Sequence, residues 1–110
     1  SSAGGPSALR RDVSEALGQY GWAHEVEHVT EDGLSLDLAQ ATSKCAIEID
    51  SHASLKSPAA ENGKTRLKAR LLKGLGWKVA RIPFFEWDVL TSETETLRYL
   101  EAKLNSRHFS

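Results

Sequence analysis

Little in this chain would staple it, anchor it or export it. Its single cysteine, Cys45, has no partner for an internal disulfide, so packing must hold the fold and secretion is not indicated. No apolar run approaches the ~20 residues of a membrane span, and no signal peptide is recognisable. Internal repeats and low-complexity tracts are missing as well. Charge of one sign is also missing overall, since 14 Lys and Arg nearly balance 15 Asp and Glu for a net charge of −1. What remains is an ordinary globular composition, 40% hydrophobic and 26% charged, in 110 residues: enough for one domain and one core, not for two. Residues 1–5, SSAGG, read as a linker, and 6–110 as the single domain.

The near-zero total conceals a local asymmetry. Acidic residues crowd Glu25 to Asp50, whereas seven of the 14 basic residues lie between Lys64 and Arg81 with no acidic residue among them. Such a division can place carboxylates beside an anion-binding surface, although mixed surfaces are also common. The basic block falls in NGKTRLKARLLKGLGWKVARIPFFEW, residues 62–87, around which the chain is organised. Leu67, Leu71, Leu72 and Leu75 share one arc of a helical wheel, with Asn62 as N-cap and Gly76 as the left-handed terminator. Trp77, Val79 and Ile82 then predict a strand that Pro83 ends.

Elsewhere the periodicities are plain. Leu9, Val13, Ala16, Leu17 and Tyr20 predict an amphipathic helix from Pro6 to Tyr20, with Gly18 and Gly21 competing for its end. Ala23 to Val29 reads as an edge strand, and Asp32-Gly33 as a hairpin turn into the alternating Leu34 to Leu38. Lys44 to Asp50 alternates again, with Cys45, Ile47 and Ile49 on one face and Ala46, Glu48 and Asp50 on the other. Ser51 to Gly63 reads as a polar loop. Ser92 and Glu95 form a capping box before a final helix striped by Leu97, Leu100 and Leu104. The order is α, three strands, α, β, α: an α/β chain with a small mixed sheet.

Asp37, Glu48 and Asp50 occupy the polar phase of neighbouring strands and would share a sheet face. Three carboxylates there repel unless a cation or a proton relieves them, and Mg²⁺ between carboxylates and a phosphate is one solution. Pairing with nearby Lys or Arg on an exposed strand face is the other. Lys68 lies beside the leucine arc, where its ammonium either stabilises charge on a phosphate oxygen or runs along the core edge with its head in water. Lys64, Arg66, Arg70 and Lys73 form either a phosphate-binding stripe or a solvated face. The missing Glu favours binding. Trp77, Phe84, Phe85 and Trp87 read as core, with stacking on an unpaired base as the alternative for any that is exposed. Of the histidines, only His52 lies near the carboxylates, as a weak candidate base, and Cys45 reads as packing.

The stretch from about Leu34 to Leu100 resembles the RAP domain, an RNA-associated module of organellar RNA-processing proteins. The resemblance is carried by CAIEID, Asn62-Gly63, Leu67-Lys68, Leu71-Leu72, Leu75-Gly76-Trp77, Val79, Ile82-Pro83 and Glu86-Trp87. That module is similar to the PD-(D/E)xK, very-short-patch-repair-like nucleases, which implies a restriction-endonuclease-like αβββαβ core with a C-terminal helix. It further implies Asp37 and Glu48 as ligands of Mg²⁺ or Mn²⁺, and a catalytic set of Asp37, Glu48, Asp50 and Lys68. Asp50 stands where the motif has lysine; in related groups an E-x-D is followed by Gly-x-x-His, but here Ser51 and Ser54 stand at those places. The resemblance implies single-stranded RNA as the partner of Lys64, Arg66, Lys68, Arg70 and Lys73. It also implies a mitochondrial or plastid setting and helical repeats in the same parent protein. Metal-dependent endoribonuclease activity is one expectation from it, and a dead nuclease fold serving protein interaction is another.

Overall fold

The computed structural model describes residues 5–50 and 59–105, with side chains described for 8–50 and 66–105. Helix α1 spans Gly5–Tyr20, strands β1 Glu25–Val29, β2 Ser35–Gln40 and β3 Cys45–Asp50 follow, and helix α2 spans Ala59–Gly74. Strand β4, Lys78–Pro83, leads through a single turn of helix, α3 at Phe84–Trp87, to helix α4 at Glu93–Leu104. The sheet order is β1-β2-β3-β4, antiparallel for the first two pairs and parallel for β3 with β4. The predicted mixed α/β order is therefore observed, with α3 as an addition. Among the described residues no helix is long and apolar enough to cross a membrane.

Period two in β3 and β4 divides the core between two faces. Leu38, Ile47, Ala80 and Ile82 meet Leu9, Val13 and Leu17 of α1 and Leu100 of α4. The opposite face is smaller, with Ala39, Ala46, Leu36 and Trp77 covered by Leu72 of α2. Turns use the residues their backbone demands. Gly76 has φ of +89°, and the N–H groups of Trp77 and Gly76 donate to the carbonyls of Leu72 and Lys73 at 2.9 and 3.0 Å, a Schellman closure of α2. Gly21, at φ +104°, ends α1 and settles the competition with Gly18. At α4, Ser92 Oγ accepts from the Glu95 N–H as expected, but the Glu95 carboxylate turns to the N–H and hydroxyl of Thr91 and leaves the box half closed. Those bonds hold the Glu95 pKa below the ordinary carboxylate value.

Three expectations need correction. Helix α2 begins at Ala59, so Asn62 is inside it and the predicted loop loses residues 59–63 to helix, consistent with the good helix formers Ala59, Ala60 and Glu61. The leucine arc is not a buried face: Leu72 is 1% exposed, but Leu67, Leu71 and Leu75 are 55%, 47% and 36% exposed. Phe85 too is exposed rather than core, while Trp77 is buried and Phe84 and Trp87 are half-buried. The remainder of the predicted loop, with His52 and Ser54, lies outside the described residues.

Candidate nucleic-acid interface and the carboxylate cluster beneath it

The rotation of α2 follows from what the sheet offers it. Under its C-terminal half lie small apolar residues, Ala39 and Ala46; under the preceding turn lie Glu48, Asp50 and Arg81. Leu72 and Lys68, four residues apart and hence on one helix face, dock into the two halves respectively. Leu72 enters the apolar cluster, and Lys68 Nζ lies 2.5 Å from Glu48 Oε1. Pointing those two at the sheet turns Leu67, Leu71 and Leu75 outward.

Asp37, Glu48 and Asp50 are brought together, Asp37 half-buried and the other two buried. Glu48 and Asp50 are only 6% and 9% exposed beneath α2. The paired positions of β2 and β3 run from Gln40↔Cys45 to Leu38↔Ile47. Beyond them the carboxylates take over the ladder: Asp37 N–H donates to Glu48 Oε2 at 2.7 Å, and Ile49 N–H donates to Asp37 Oδ2 at 2.8 Å. Asp50 is held by the Arg81 guanidinium, whose Nε donates to both of its oxygens at 3.0 and 3.1 Å while the terminal nitrogen meets Oδ1. Arg10 of α1 adds a distant contact to Asp37 Oδ1 at 3.8 Å and a closer one to Glu27 at 3.2 Å. Burial lowers the Arg81 pKa, but its hydrogen bond to Asp50 and the charges of Asp50, Glu48 and Asp37 outweigh this and raise it. Three carboxylates thus face three cations supplied by α1, α2 and β4, and the repulsion is relieved within the chain.

This arrangement does not fit a divalent cation. Among the described residues no three carboxylate, histidine or cysteine side chains converge as a metal site. Asp37 and Glu48 each give an oxygen to a backbone amide of the opposite strand, and the second oxygen of Glu48 is taken by Lys68.

The cations of α2 separate by role. Lys68 belongs to the buried cluster rather than to a phosphate stripe. Arg66, Arg70 and Lys73 recur at one-turn spacing on the exposed side of the helix, and none forms an ion pair with a described residue. The side chain of Lys64 lies outside those described. Two residues that sequence reasoning passed over are Arg81 and Arg10. Arg81 was legible as the polar-phase residue between Ala80 and Ile82, but its pairing with Asp50 depends on the parallel register Glu48↔Arg81. Nothing in the sequence pointed to Arg10.

Comparison with known proteins gives these features a family. A chloroplastic RAP domain-containing protein of Oryza sativa subsp. japonica is 32% identical over 96 residues, 86% of this chain and 15% of that protein. The mitochondrial FAST kinase domain-containing protein 3 of Rattus norvegicus is 42% identical over 45 residues, 41% of this chain and 7% of that protein. The chain therefore spans only a small part of the length of these relatives. No solved structure matches it. The family model of the RAP domain matches residues 47–103, from the centre of β3 through the cation-bearing helix to the last turn of α4, and the chain belongs to the RAP domain family.

Proposed function

We propose that this chain is an RNA-binding domain of an organellar protein, gripping the backbone of single-stranded RNA along Arg66, Arg70 and Lys73. The observation that carries this reading is the exposed cationic stripe on α2, which pairs with no acidic group among the described residues and lies within the family-matched segment. Phosphates bind such a stripe without regard to base identity. The chloroplastic and mitochondrial relatives support an organellar setting. Their greater length supports a parent protein in which other segments, such as helical repeats, select the transcript while this domain holds it. Hydrolysis is not part of the reading, because each of the three carboxylates is already engaged by cations or amides.

Charge reversal tests it. Arg66→Glu with Arg70→Glu is expected to abolish measurable binding of a labelled single-stranded RNA in filter assays. The milder Arg66→Ala with Arg70→Ala should lower the salt slope by about two. Affinity unchanged by either pair removes the stripe from the interface. The same samples, incubated with Mg²⁺ or Mn²⁺, should return the RNA intact; cleavage lost in Glu48→Ala would reinstate the carboxylates as a catalytic centre.

A further inference from the structure

The stripe is bordered by a groove with features of its own. A cavity of about 470 Å³ opens between α2 and the β1–β2 turn, lined by Asp32, Leu34, Arg70, Leu71, Gly74 and Leu75. Its size lies within the range of small-ligand sites. The turn wall is rigidly built: Thr30 N–H donates to the Leu34 carbonyl at 2.9 Å, and Leu34 N–H donates to Thr30 Oγ1 at 3.1 Å. Gly33, at φ +85°, makes that tight turn possible. Leucines supply apolar surface, and an acidic and a basic residue stand on different walls: Asp32 on the turn and Arg70 on the helix. Neither forms an ion pair with a described residue, so both are available to a ligand.

We propose that this groove receives one unpaired guanine base of the bound RNA, an inference that rests on the RNA-binding reading above. The argument is complementarity. A splayed base needs an apolar bed for its ring and polar partners for its edges. Guanine presents N–H donors on its Watson–Crick edge, suited to a carboxylate, and the O6 and N7 acceptors on its major-groove edge, suited to a guanidinium. Uracil offers a carboxylate one N–H flanked by two carbonyl oxygens, which repel it. Cytosine and adenine each offer the carboxylate only an exocyclic amine. Arg70 belongs both to the groove and to the phosphate stripe, so the base and its backbone can be held together.

The test compares two fluorescent RNA 12-mers, one all uridine and one with a single central guanine, by anisotropy at fixed salt. The unaltered chain should bind the guanine-containing strand roughly tenfold more tightly. Asp32→Ala should reduce that ratio to about one. So should Gly74→Leu, which fills the groove from a position where an added Cβ meets no atom within 4 Å. Equal affinity for both strands overturns the guanine pocket. The phosphate stripe would then stand separately, provided that all-uridine binding is lost in Arg66→Glu, Lys73→Glu. Should neither strand bind, the RNA-binding reading fails, and methyl NMR with guanosine 5′-monophosphate decides the pocket. Shifts of the Leu34, Leu71 and Leu75 methyls by the guanine nucleotide, but not by uridine 5′-monophosphate, retain it. No shift, or equal shifts by both, eliminates it and leaves the groove to an apolar side chain of a protein partner.

Discussion

The two faces of this sheet are covered by helices of similar length yet are held in different ways. On the α1 and α4 face, Val13, Leu17, Leu38, Ile47, Ile82 and Leu100 are fully buried in one apolar cluster. On the α2 face Leu72, the one fully buried leucine among the described side chains of that helix, shares the task with a charged cluster of Lys68, Glu48, Asp37, Asp50 and Arg81. Hydrocarbon packing is non-directional and tolerates small rotations of a helix. An ammonium on a buried carboxylate is directional, so it selects one rotation of α2. That choice places the leucines and cations of α2 outside, where a ligand can reach them. The first face stabilises the domain; the second orients its working surface.

Deleting hydrocarbon on the first face should have the largest effect. Ile47→Ala is expected to lower unfolding free energy by about 2–5 kcal/mol in urea titration, whereas Leu71→Ala on the exposed side of α2 should stay within about 0.5 kcal/mol. Equal losses at the two positions would erase the distinction between the faces. Next comes the charged clasp. Glu48→Ala strands Lys68 and the Asp37 amide together, for an expected loss of about 2–3 kcal/mol, below that of a fully buried pair because the Lys68 side chain is 30% exposed. Glu48→Leu combined with Lys68→Met should recover most of that stability. If the clasp sets the rotation of α2, the same double variant should nonetheless change the exposure of Leu67 and Leu71, read by hydrogen exchange and methyl NMR. Recovered stability with unchanged exposure would show that Leu72 alone orients the helix.

A smaller effect than that of the clasp belongs to the periphery of the first face. Tyr99 OH donates to Glu86 Oε1 at 2.6 Å, and burial, followed by that hydrogen bond and the Glu86 charge, raises the phenol's pKa far above its usual value. The fold therefore favours the neutral phenol. Its contribution is fully present below the unfolded pKa of about 10 and declines as pH rises beyond it, because only the unfolded chain ionises. Tyr99→Phe should cost about 1 kcal/mol at neutral pH and flatten the alkaline limb of the stability profile. An unaltered limb would assign it to other groups.

What the sequence determined by itself is the set of elements and their order, the single turn α3 excepted. Periods of two and 3.6, Gly76 at a helix end, Asp32-Gly33 at the hairpin and Ser92 before α4 are local signals, and local backbone chemistry answers them. The sequence also placed Asp37 beside Glu48, because period two and a short hairpin connection leave an alternating strand few registers. Tertiary structure decided the rest. A helical wheel counts leucines but cannot see that the sheet beneath them is half alanine and half carboxylate, so it pointed four leucines inward where only Leu72 goes. Likewise, carboxylates on one face predict a need for positive charge without naming its source. Lys68 and Arg81 supply it, 20 and 31 residues away from their partners, because a parallel crossover returns the chain beside β3. Local propensity acts over a few residues, whereas charge compensation in a buried site depends on which segments of the chain meet there.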